Sequence, residues 1–158
     1  SKDTRDSIHH YSETITPTHS IPSKVFGGFK KACHSLYKFQ SKAEKDFAGI
    51  LEDDKTVFRW LRPAHSQFAI YYQHNSKRYD PDFVVETKEA IYMVEIKAEN
   101  EMENTDVQEK AQAGMKYCET ASNFNKDNGG KAWRYVLLPH STVASNMSLE
   151  GLLKLAGL

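Results

Sequence analysis

Cysteine is scarce in this 158-residue chain, net charge is absent, and no long apolar run occurs. Cys33 and Cys118 are its two cysteines, widely spaced, so neither a zinc signature nor a disulfide framework can be written from them. Both read as buried thiols of a cytosolic protein. Twenty-one Lys and Arg balance twenty-one Asp and Glu. That excludes the global positive field of an autonomous, non-specific nucleic-acid binder, so any contact with DNA is local or supplied by a partner. No apolar signal core, no span near 18 apolar residues and no lipidation motif is found, and the expectation is a soluble, cytoplasmic protein without a membrane role. Internal repeats are also missing. A hydrophobic content of 39 % in this length suits one domain with one core.

Residues 1–22 are polar, with Pro17 and Pro22 near their end, and read as a tail or linker that buries little surface. A chain that opens in this way without an initiating Met is expected to be a domain of something longer. His9 and His10 read as solvated rather than metal-binding. From Ser23, the residues Val25, Phe26, Phe29, Ala32, Cys33, Leu36 and Tyr37 recur at helical spacing. Ser41-Lys42-Ala43-Glu44 is a capping box in which Ser41 accepts from the Glu44 N–H and Glu44 reaches back to that of Ser41. A helix to about Glu52 follows, and two readings of Glu44 stand: a cap only, or a carboxylate that leans into a metal site.

Strands are expected over residues 56–61 and 68–72, separated by polar turns. The aromatics of these strands read as core rather than base-stacking platforms. Tyr79-Asp80-Pro81-Asp82-Phe83-Val84-Val85-Glu86-Thr87 and Ala90-Ile91-Tyr92-Met93-Val94-Glu95-Ile96-Lys97 flank a short polar break and read as a β-hairpin. A break centred between Lys88 and Glu89 sets Asp82 opposite Glu95 and Asp80 opposite Lys97, all four on one face. The other face, Phe83, Val85, Tyr92, Val94 and Ile96, is core. Opposed residues have Cβ atoms about 5 Å apart, near enough for two carboxylates to hold one hard cation. Like charges directly opposite destabilise a strand pair unless something neutralises them, and a cation would.

Residues 98–104 are an acidic loop. Thr105-Asp106-Val107-Gln108 is a second capping-box pattern and opens a helix to about Ser122, with Val107, Ala111, Gly114, Met115 and Cys118 inward. Lys110 borders its packed face, a surface lysine by default and a candidate phosphate contact otherwise. After a loop over 123–131, residues 133–138 form a strand stopped by Pro139, and residues 149–155 a closing helix. This is an α/β order, with the last strand returning parallel to its neighbour after a helical crossover.

Asp82 after Pro81, then Glu95-Ile96-Lys97, resembles the motif of the PD-(D/E)XK nuclease superfamily. Phe26-Gly27-Gly28-Phe29-Lys30-Lys31, residues 41–54, 79–87 and 94–98, the helix from Val107 and Gly129-Gly130-Lys131-Ala132-Trp133 look like successive blocks of one subfamily. It is the C-terminal nuclease domain of type III restriction subunits and related DEAD/DEAH helicase-nuclease proteins. The resemblance spans residues 23–155 and implies a restriction-endonuclease-like three-layer core, a mixed central sheet flanked by helices, over 23–158. It also implies Mg²⁺-dependent hydrolysis of DNA phosphodiesters, with Mn²⁺ as a substitute. Asp82, Glu95 and the Ile96 backbone carbonyl would hold the metal, Lys97 would orient the attacking water, and Glu44 would support the metal or a second one. Lys110 and Gln108 would contact DNA phosphates. The implied partners are DNA, a helicase or translocase motor and a methyltransferase or recognition subunit. The rival expectations are a non-catalytic DNA-docking domain of the same fold and a repair or transposon-end nuclease.

Overall fold

A computed structural model describes residues 8–65, 67–68, 70–73 and 76–158. The first seven residues of the expected tail, and parts of both expected turns around the second strand, lie outside the described residues.

The element order is β1 (Ile8–His10), β2 (Val25–Gly27), α1 (Lys42–Asp53), β3 (Val57–Leu61), β4 (Ile70–Tyr72), β5 (Lys77–Tyr79), β6 (Phe83–Thr87), β7 (Ala90–Lys97), α2 (Thr105–Asn128), β8 (Ala132–Pro139) and α3 (Leu149–Leu155). A mixed four-stranded sheet of order β3-β6-β7-β8 is the frame. β3, β6 and β7 run antiparallel in turn, and β8 joins β7 in parallel after the α2 crossover. The β6–β7 pairs Phe83–Val94, Val84–Met93, Val85–Tyr92 and Glu86–Ile91 are those of a break centred between Lys88 and Glu89. The Thr87 hydroxyl holds that turn, accepting from the N–H groups of Glu89 at 3.2 Å and Ala90 at 3.3 Å.

Both faces of the sheet are covered, because apolar residues alternate on one face and continue on the other. Phe83, Val85, Tyr92, Val94 and Ile96 join the α1 residues Phe47 and Leu51 and the α3 residues Leu149 and Leu152 in the larger core. Met93 packs on the other side with Ile70, Tyr79 and Cys118, under α2 and the β4–β5 hairpin. The sheet is therefore a middle layer. The face of Glu95 is an interior face, not a solvated one.

Several expectations are corrected. Residues 24–37 form no helix: β2 pairs with β1, and Phe26 and Tyr37 exchange backbone hydrogen bonds at 2.9 and 3.0 Å. Gly27-Gly28 opposes helix, Gly28 takes φ 87°, and the aromatic side chains gain more by stacking with Phe39 and Trp60 than along a helix face. Residues 8–22 are no free tail, since Ile15 and Ile21 are buried in the core. Cys33 is exposed and only Cys118 is buried. The strand expected over 68–72 is β4, Ile70–Tyr72, which lies outside the main sheet in a separate hairpin with β5. α2 begins one residue early by its cap, with Asn104 Oδ1 accepting from the Asp106 N–H at 2.8 Å, and runs on to Asn128, where Gly129 ends it with φ 73°. Met115 lies outward, 52 % exposed. No helix among the described residues is long and apolar enough to cross a membrane.

Candidate active site

The site is built where the β6–β7 ladder stops. Pro81 carries no N–H and cannot extend the pairing beyond Phe83–Val94. Asp82 continues it with a side chain instead, its Oδ2 accepting from the Ile96 N–H at 2.8 Å. That bond draws the carboxylate across to β7, beside Glu95. Glu95 is only 4 % exposed, and the charge of Asp82 acts on it.

Burial is the main reason that both carboxyls hold their protons above the usual range. For Glu95, raised well above it, the next cause is the charge of Asp82, opposed by Lys97 and Lys110. For Asp82 the next cause is the charge of Glu44, opposed by the Ile96 N–H, Arg62 and Lys97. Two acids, repelling each other in a largely dry place, are thus flanked by lysines from β7 and α2.

Glu44 reaches this group from α1. Ser41 Oγ accepts from its N–H at 3.1 Å, as the capping box requires. The return bond is different: Glu44 Oε1 accepts from the Gln40 N–H at 3.4 Å, and Arg62 Nη1 lies 2.5 Å from the same oxygen. The register Leu61–Val84 brings Arg62, just past the end of β3, beside Phe83. Its guanidinium lies 4.9 Å from the Phe83 ring centre and 5.2 Å from that of Phe39. Glu44 is therefore near the pair, but its carboxylate is committed to an arginine.

Lys97 is half-buried at the end of β7, and its charge acts on both Asp82 and Glu95. Lys110 pairs with Asp106 at 3.1 Å and lies 5.7 Å from the Tyr72 ring, while its charge still reaches Glu95. Gln108 stands apart: exposed, its Nε2 donates to the Met102 carbonyl at 2.5 Å and ties down the turn before α2. Ile96 lies in the β7–β8 ladder opposite Leu138, with its side chain in the core. Asp80, expected opposite Lys97, has His65 as its ion-pair neighbour at 3.5 Å.

Three neighbours escaped the sequence reading. Tyr79 and Tyr135 are phenols raised by burial and by the charges of Glu95 and Asp82, and the Tyr79 hydroxyl is buried without a hydrogen-bond partner. Both rings meet α2 at Gly114, where a Cβ would lie 2.5 Å from each. Arg62 is the third, and its only signal in the chain was a basic residue closing the strand next to Asp82.

An open groove of about 350 Å³ adjoins this end of the sheet, lined by Ser41 and Lys42 of α1 and by Glu99, His140 and Ser141, which follow β7 and β8. A larger cavity of about 470 Å³ lies between residues 11–21 and α1, and neither the groove nor this cavity is lined by Asp82, Glu95, Lys97 or Glu44. Among the described residues no group of three or more His, Cys, Asp or Glu side chains is arranged to hold a metal. A pair suffices for Mg²⁺, which takes one or two carboxylates and keeps several waters. Asp82 and Glu95 fit such an ion, since a buried pair of repelling acids is what a divalent cation relieves.

No protein-family model matches the chain, and no curated protein matches it.

Proposed function

We propose that this chain is a divalent-metal-dependent deoxyribonuclease domain of the PD-(D/E)XK type, with Asp82 and Glu95 as ligands of Mg²⁺ or Mn²⁺. One observation carries the reading. A hairpin register, completed by the Asp82–Ile96 bond, presses two carboxyls together in a buried place, with Lys97 two residues beyond Glu95. The fold has no need of such a pair. An apolar residue at Glu95 would suit the face it shares with buried Met93, so the acid is kept for what it binds.

When bound, the metal polarises a phosphoryl oxygen and makes a coordinated water more acidic. Asp82 and Glu95 hold their positions through strand backbone rather than loops, which keeps the geometry tight. Lys97 places an ammonium where negative charge builds on the phosphate, and orients the water that attacks. Lys110 adds positive potential from α2, on the side of Glu95. The neutral chain supplies little long-range attraction for DNA. A helicase or translocase motor would deliver the substrate, and the setting that fits best is the cleavage module of a restriction or phage-defence helicase-nuclease.

The rival reading is a DNA-docking domain without catalysis. The buried acid pair weighs against it, because docking gains nothing from two repelling carboxylates at the contact. Incubation of the protein with supercoiled plasmid in Mg²⁺, Mn²⁺ or EDTA separates the two. Nicking or linearisation that needs the metal and disappears in Asp82→Asn is expected. Tight metal-independent DNA binding with no cleavage, by the chain alone and joined to its motor, would establish docking instead.

A further inference from the structure

Glu44 is a third carboxylate whose charge acts on Asp82, yet Arg62 has already taken it. The Arg62 side chain is 16 % exposed, and its guanidinium lies over the rings of Phe39 and Phe83, both fully buried. A flat cation stacked between two rings cannot follow a carboxylate that swings away. For Glu44 to ligate a metal it would have to break a buried ion pair and leave the guanidinium without its counter-charge, which is strongly unfavourable. Arg62 also stands near Asp82, whose ionised form it favours. Glu44 and Asp82 are thus faced by Arg62 and Lys97, while Lys110, itself paired with Asp106, acts on Glu95. One divalent cation can be accepted between Asp82 and Glu95. A second one, on the Glu44 side, would meet a fixed positive charge at close range.

We propose that Arg62 is a positioning residue that keeps Glu44 out of the metal's ligand set and so restricts this site to a single divalent cation. The proposal rests on the nuclease reading of the same site. Arg62 stands where a second metal would otherwise bind. Its role is electrostatic and steric, and it needs no contact with the water or the scissile phosphate.

The test is the stoichiometry of Mn²⁺ binding by titration calorimetry, which does not depend on cleavage. The wild-type chain should bind one Mn²⁺, and so should Glu44→Gln, because Glu44 is not a ligand. Arg62→Met keeps an unbranched apolar chain between the two rings and frees Glu44, and should bind two. The double variant Arg62→Met/Glu44→Gln should return to one. Circular dichroism checks that each variant is folded. Arg62→Gln, which also removes the charge, takes the place of Arg62→Met in the titration, with the same expectation of two ions, if Arg62→Met does not fold. Two Mn²⁺ ions on the wild type, loss of its single ion in Glu44→Gln, or only one ion on folded Arg62→Met would each overturn the proposal and leave the nuclease reading standing. No Mn²⁺ on the wild type would overturn both.

Discussion

Replacing Gly114 by alanine inserts a single methyl group where α2 packs against Tyr79 and Tyr135. The built Cβ lies 2.5 Å from Tyr135 Cδ2 and Cε2 and 2.5 Å from Tyr79 Oη, whereas carbon atoms in contact prefer about 3.5–4.0 Å. Aromatic rings packed under a helix cannot bend aside, so α2 must move outward or both rings must tilt. Overpacking of this kind costs about 1–3 kcal/mol. It is opposed by the higher helix propensity of alanine, about 1 kcal/mol over glycine in a helix interior. The net expectation is a loss of up to about 2 kcal/mol, which for a domain of this size lowers the melting temperature by up to roughly 8 °C. Gly49 supplies the control, being inside α1, with Tyr11 Cδ2 at 4.0 Å as the nearest atom to its built Cβ. Gly49→Ala should therefore stabilise by up to about 1 kcal/mol, through propensity alone. Calorimetric melts of the two variants beside the wild type make the comparison. Equal stabilisation by both substitutions would refute the close packing of α2 on Tyr79 and Tyr135. Metal-dependent cleavage by Gly114→Ala should fall too, since an outward shift of α2 carries Lys110 away from Glu95.

Three other outcomes are expected. Glu95 binds its proton more tightly in the folded chain than at its ordinary value of 4.5. Between those two values the unfolded state carries fewer protons, so metal-free stability is greatest below the ordinary value and declines as pH rises toward the folded one, by about 1.4 kcal/mol per unit of difference. Glu95→Gln should flatten that decline and melt above the wild type at pH 8 in EDTA; a lower melting temperature there would contradict the repulsion. Lys97→Ala and Lys97→Arg should each cut single-turnover cleavage by about 100-fold, near 2.7 kcal/mol, with Mn²⁺ affinity retained, and undiminished cleavage by Lys97→Ala would remove Lys97 from the mechanism. DNA binding by the neutral chain should be weak and fall steeply between 50 and 200 mM salt in a fluorescence anisotropy titration; sub-nanomolar, salt-insensitive binding would contradict delivery of the substrate by a motor.

Where a residue's environment is made by its near neighbours in sequence, the chain by itself was sufficient. The β6–β7 register follows from two apolar runs about a two-residue turn, because a slip of one residue would turn the whole buried set outward. The same register places Asp82 beside Glu95. The strand ending at Pro139, its parallel return beside β7 and the closing helix α3 were also legible from period and punctuation.

Tertiary structure decided the rest, through contacts between residues far apart in the chain. The stretch from Ser23 to Tyr37 has helical spacing, but a cluster of rings around Trp60, reached only in the fold, outweighs that local pattern. Glu44 looks like a cap reaching back to Ser41 until β3 brings Arg62 to it, eighteen residues away in sequence. The hairpin alone presents Glu95 as a carboxylate on an open sheet face. Only α2, Tyr79 and Tyr135, closing over that face, desolvate it, and desolvation is the largest cause of its raised pKa. Sequence thus set which side chains share a strand face, because that depends on alternation over a few residues. The partner and the dielectric surroundings of each charge depend on which distant surfaces pack together, and these arose only with the folded chain.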